Sequence, residues 1–150
     1  MPTPGPTNSS LGSKPNADAM RSLLGLVLAL TTLPAELSPD HYRRLQDEAM
    51  EALVVKTDQV DVKTTFGKDG EQFEVHAKAT VQSVIRSKAG HKPGDAIQIS
   101  YSFIQTTVPM PGPSKPTILE KGATVRAYLN PVGNRDSLGP AAYGHSFQKP

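Results

Sequence analysis

Between Phe73 and Val81 every second residue is apolar. Phe73, Val75, Ala77, Ala79 and Val81 alternate with Glu74, His76, Lys78 and Thr80. Side chains on a strand point to opposite faces in turn, so this spacing predicts a strand with one buried and one wet face. At Ser83 the phase breaks, because Val84 stands where a polar residue should. A strand that changes phase in mid-run needs a bulge or a sharp coil. The small side chains of Ala77 and Ala79 permit tight curvature. One long bent strand of this kind can serve both sides of a small barrel.

The flanking segments supply partners for such a strand. Ser38 can cap a helix, Pro39 suits its first position and Asp40 suits the positive end of its dipole. Tyr42, Leu45, Ala49 and Leu53 recur at three-to-four spacing, predicting a short helix over about 39–51. Its polar residues Arg43, Arg44, Asp47, Glu48 and Glu51 read as a solvated face. Leu53 to Thr65 is rich in β-branched residues and predicts an extended chain, closed by a turn centred on Asp69-Gly70. Arg86 to Asp95 is a polar connection. Ile97, Ile99, Tyr101 and Phe103 alternate as a third strand. Pro109, Pro111, Pro113 and Pro116 forbid a central strand and predict an extended surface loop. Thr124–Asn130 predicts a fourth strand, residues 131–140 a loop, and Ala141–Phe147 a last short strand anchored by Phe147.

The amino-terminal third has a different character. Residues 1–19 hold four prolines and two glycines around one large aliphatic, Leu11, and cannot build a packed element. Met20-Arg21-Ser22 then leads into an uncharged apolar run that ends at Pro34-Ala35. The run is shorter than the 20 or so residues a spanning helix needs and has the parts of a secretory signal. Signals start at the initiator, so Met20 is expected to be the true start and residues 1–19 an upstream extension. The expected product is a single domain, residues 36–150, secreted or periplasmic, with no stable membrane anchor after cleavage.

Five strands in about 100 residues, the first long one bent, with a proline-rich excursion before the fourth, suggest a small closed β barrel behind one short helix. The run Phe73–Arg86, then Lys92-Pro93-Gly94-Asp95-Ala96-Ile97, then Leu119-Glu120-Lys121-Gly122 before Val125–Leu129, resembles the netrin-module/TIMP-like variety of the OB-fold. The close, Ala141-Ala142-Tyr143-Gly144-His145-Ser146-Phe147, is similar to that of uncharacterised exported bacterial domains of this type. TIMP-like inhibitors act through an N-terminal cysteine that chelates the protease zinc. This chain has no cysteine, so the resemblance implies a fold and carries no inhibitory mechanism.

Little catalytic chemistry is legible. The absence of cysteine removes thiolate zinc sites, disulfides and cysteine nucleophiles. His41, His76, His91 and His145 lie at no metal-ligand spacing, and no Gly-x-Ser-x-Gly elbow is present. Asn134-Arg135-Asp136-Ser137 gathers oxygens but reads as an Asx turn, and Gly67-Lys68-Asp69-Gly70 as a hairpin turn instead of a phosphate cradle. Asp58 and Asp61 fall on opposite strand faces, poor geometry for an acid–base pair. No cofactor, metal or nucleic acid is expected; a net charge of +2 is not that of a polybasic nucleic-acid binder. Two surfaces are candidate partner sites. Arg86, Lys88, His91 and Lys92 make a basic loop suited to a polyanion or acidic glycan, and Tyr101, Met110 and Lys115 surround the proline-rich loop 105–117. The expected role is non-catalytic binding of an extracytoplasmic protein or polymer, its oligomeric state left open. A hydrolase or hydrolase inhibitor using loop residues and a lipocalin-like carrier are the alternatives. His91, Asp95 and a serine clustered in a pocket would favour an enzyme, a protruding rigid loop an inhibitor, and a hollow interior a carrier.

Overall fold

The computed structural model describes residues 1–3, 5, 36–133 and 137–150. The expected signal at 20–35, most of the upstream extension and residues 134–136 of the expected Asx turn therefore lie outside the described residues. The chain divides after Leu33, and the elements below belong to its second unit, Pro34–Pro150.

Helix α1 (Pro39–Glu48) starts as its sequence dictates: the Ser38 hydroxyl accepts from the His41 N–H at 3.3 Å, with Pro39 and Asp40 in the first turn. It stops earlier than the apolar spacing predicts. The backbone turns extended at Ala49, and strand β1 (Glu51–Gly67) begins at once. Glu51, expected on the solvated helix face, is instead fully buried as the first residue of that strand. The β-branched run behind it, drawn into sheet pairing, outweighs three residues of helical spacing.

Strand β2 (Gly70–Ser87) pairs antiparallel with β1 along its whole length. The turn is centred on Lys68-Asp69, between the paired Gly67 and Gly70, one residue earlier than expected. Gly70 has φ 143° and lies so close to the third strand that a Cβ would meet the Gln105 carbonyl, so only glycine closes the hairpin there. Val75, Ala77, Ala79 and Val81 are all buried, as the alternation predicts. The pairing slips at three places, leaving Asp58, Gln82 and Ile85 as extra residues. The Gln82 bulge falls where the sequence changes phase, and it lets Val84 pack against the core after Val81.

Strand β3 (Ala96–Thr106) pairs with β2, and β4 (Thr124–Val132) with the first part of β1, Glu51–Lys56. Strand β5 (Ser137–Pro140) lies antiparallel to β4 and touches β3 in parallel at Ile99 and Leu138. The hydrogen-bonded neighbours thus run β1-β2-β3-β5-β4 and back to β1, a closed ring of five strands. Leu53, Val55, Ala77, Ile99, Ala127 and Leu129 are among the side chains that form its core. Two end assignments need correction. Residues 131–140 are not all loop, since they hold the end of β4 and all of β5. Residues 141–147 are not all strand: a 3-10 turn at Tyr143–His145 leads into the short last strand β6 (Phe147–Gln148), which Phe147 starts opposite Ala127. Ser-Leu-Gly-Pro has weak strand propensity. It becomes a strand because Leu138 and Gly139 are buried between neighbours, with Val132 Cγ1 only 2.8 Å from where a Gly139 Cβ would stand.

Candidate functional site

The structure does not bring the basic loop together as one group. Arg86 turns back toward α1. Its Nε donates to the Ala49 carbonyl at 3.0 Å and its Nη2 to the Gln46 carbonyl at 2.7 Å. A guanidinium there satisfies the carbonyls that a helix C-terminus leaves open and complements its dipole, so Arg86 anchors the helix. Lys88 and His91 are brought together instead. Both line a cleft of about 690 Å³ whose floor includes Met50, Ala96, Ile97 and Leu138.

Local bonds build this cleft. After β2 the chain is held back to β1 by Lys88 N–H on the Met50 carbonyl at 3.0 Å and by Ala89 N–H on Glu51 Oε1 at 2.9 Å. The Ser87 hydroxyl accepts from His91 N–H at 2.9 Å, and Asp95 Oδ2 from Lys92 N–H at 2.8 Å. Gly94 N–H and the Val81 carbonyl close the arc at 2.8 Å. Lys92 itself is exposed and is not among the cleft residues. His91 Nδ1 lies 3.9 Å from Asp95 Oδ2, long for a direct bond. Ser87 Oγ and Asp95 Oδ2 each accept a backbone N–H and so shape the loop, and neither residue lines the cleft with His91. Glu51, missed as a buried group, holds the cleft wall through Ala89, while its Oε2 is buried with no hydrogen-bond partner among the described residues. Its position next to three tied loop residues is a tertiary fact with no local signal.

The second candidate group is also divided. The Tyr101 hydroxyl donates to the Thr117 carbonyl at 2.7 Å and accepts from Leu119 N–H at 3.2 Å. Burial pushes this phenol up to about 12, and the Leu119 bond opposes the rise. Its ring lies 5.6 Å from Phe147 and 6.4 Å from Phe103. Further along the loop, the Tyr42 hydroxyl of α1 accepts from both Ser114 N–H at 2.9 Å and Ser114 Oγ at 3.1 Å. Gly144 N–H binds the Ser114 carbonyl at 2.9 Å. The segment from Ser114 to Leu119 is therefore a strap tied to the body, while Val108 and Met110 ahead of it are 67% and 71% exposed. Lys115 lines a cleft of about 380 Å³ with Tyr101, and another of about 460 Å³ with Met110. The cleft that holds Lys88 and His91 includes neither Tyr101, Met110 nor Lys115.

One contact had no sequence signal. On the outer face His76 Nδ1 lies 3.0 Å from Ser100 Oγ and Nε2 lies 3.1 Å from Glu74 Oε1. Strand register produces it, since His76 stands opposite Ser100. The order matches a nucleophile, base and orienter. The His76 and Glu74 side chains are about half exposed, and β2, which carries them, is paired to β1 on one side and to β3 on the other. The two aspartates considered as a pair are separated in role: Asp58 accepts from Thr80 Oγ1 at 2.7 Å and Asp61 from Gln59 Nε2 at 2.8 Å. Among the described residues no three His, Cys, Asp or Glu side chains are placed to hold a metal ion, and no helix is long and apolar enough to cross a membrane. No protein-family model, curated protein or solved structure matches the chain at a significant level.

Proposed function

We propose that the domain is an exported binding module that takes an acidic polymer or an acidic segment of a protein in the Lys88–His91 cleft. The observation that carries this reading is that both side chains line one cleft together with apolar Met50, Ile97 and Leu138. The Lys88 ammonium and a His91 ring N–H can donate to carboxylates, and the apolar lining accepts the backbone or ring between them. The closed strand order with one parallel closure and a first strand shared by two neighbours supports an OB-like barrel of the TIMP-like kind. Such barrels commonly bind polymers on a strand face and its adjoining loops. The sequence from Met20 to Ala35 supports action outside the cytoplasm. An interior occupied by core side chains weighs against a hollow carrier.

The test is titration of the full chain with polyglutamate and with a uronic-acid polymer at low and high salt. Binding should weaken with salt. The double variant Lys88→Ala/His91→Ala should lose about 10-fold or more in affinity, whereas Lys92→Ala should change it less than about threefold. Equal affinity in parent and double variant, or no binding to either polymer at low salt, refutes the reading.

A further inference from the structure

Beyond the ring, β1 has an edge left open among the described residues. Thr57 makes the last tie on that side: its N–H binds the Ala123 carbonyl at 2.9 Å and its carbonyl accepts from Gly122 N–H at 2.7 Å. From Asp58 to Gly67 β1 is paired to β2 only, among the described residues. An edge of this length is a template for another strand.

The backbone says which groups are free. The two-residue turn closes on the Gly67–Gly70 pair, and the register is constant from there back to Gln59–Lys78. Hydrogen-bonded and non-bonded pairs alternate along an antiparallel ladder. Counting from a bonded Gly67–Gly70 pair, Val60, Val62, Thr64 and Phe66 turn their N–H and carbonyl groups away from β2, toward the open edge. The bonds of Thr57 on that same side agree with this count from the other end. The side chains of these four residues lie on the row that faces Val75 and Phe73. Val62 is 44% and Phe66 78% exposed. Asp61 and Lys63 occupy the opposite, polar row.

We infer that this edge pairs with the same edge of a second copy of the chain, antiparallel about a two-fold axis at Val62. Charge complementarity selects that register. It places Asp61 opposite Lys63 of the second copy, and Lys63 opposite its Asp61, in close non-bonded pairs. It places Val62 against Val62 and Val60 against Thr64 in bonded pairs, where the free backbone groups meet. Phe66 then falls diagonal to Val60 of the second copy. Two-fold registers centred on Asp61 or on Lys63 put like charges face to face, which is destabilising. A one-residue slip mismatches the backbone groups and mixes the two faces. A second copy is the occupant because one short segment supplies both halves of the match, as an isologous contact requires.

The experiment is sedimentation equilibrium of the full chain from about 10 μM to 1 mM, the range where a small interface is populated. The parent should shift from monomer toward dimer. Asp61→Lys alone and Lys63→Asp alone should each remain monomeric. An equimolar mixture of the two should dimerise, since every opposed pair is then of opposite charge, and the double variant Asp61→Lys/Lys63→Asp should dimerise like the parent. A parent that is monomeric throughout overturns the proposal. So does association that the single variants leave unchanged, which would place the contact on another surface.

Discussion

The phenol of Tyr101 fixes the return of the proline loop by two backbone bonds, to Thr117 and Leu119. Its ordinary value is 10.0, and burial raises it to about 12 in the fold. Between those values the native state keeps a proton that the unfolded chain releases, so stability falls with pH. The contribution is complete below about pH 10 and is lost as pH rises through about 12. Tyr101→Phe should flatten this alkaline slope and cost about 1–2 kcal/mol at neutral pH. Urea midpoints measured from pH 8 to 12 for parent and variant would show a parallel pair of curves if Tyr101 is not the group responsible. None of this is legible in the sequence, where Tyr101 is one of four alternating apolar residues on a strand. Alternation gives the face on which a side chain sits and not what its hydroxyl meets. Arg86 and Glu51 make the same point: each has a local reading as a solvated charge, and each is claimed by a neighbour distant in sequence.

At the scale of elements, α1 and the strap hold one another. Tyr42 is the one buried residue of the described helix, and its hydroxyl takes both donors of Ser114. Its ring stacks on His145 at 4.1 Å, and Gln46 Nε2 donates to the His145 carbonyl at 2.7 Å. The helix therefore ties the strap and the carboxy-terminal turn in one place. Tyr42→Phe keeps the stacking and frees the Ser114 N–H. Its amide exchange should rise by about 10-fold, the equivalent of one lost hydrogen bond, while Val55 and Ile99 stay protected. Unchanged exchange at Ser114 would mean that Gly144 alone secures the strap. The start of α1, the β1–β2 hairpin and the bulge in β2 were all readable beforehand, because capping, turn residues and a phase break are properties of a few adjacent residues. The end of α1 was not, because sheet pairing of Glu51 competes with helical spacing and only the partner strand decides the contest.

At the scale of the molecule, the ring is closed on one side by six residue pairs between β1 and β4 and on the other by the single parallel pair Ile99–Leu138. Leu138 is buried there and also floors the cleft. Leu138→Ala should cost about 2–5 kcal/mol in denaturant unfolding. A loss under 1 kcal/mol would show that closure does not depend on this contact. The sequence by itself determined the class of structure: a mainly β chain with one short helix, the buried face of its longest strand and the place where that strand bends. Each of these follows from a period or a turn written within a dozen residues, where chain geometry leaves few choices. The tertiary structure alone decided which strands are neighbours, that Ser137–Pro140 joins them, that Lys88 and His91 share a cleft while Arg86 leaves it, and that, among the described residues, the second half of β1 is paired on one side only. Those outcomes depend on contacts between residues far apart in the chain, where burial and backbone hydrogen bonding choose among partners that local pattern leaves equivalent.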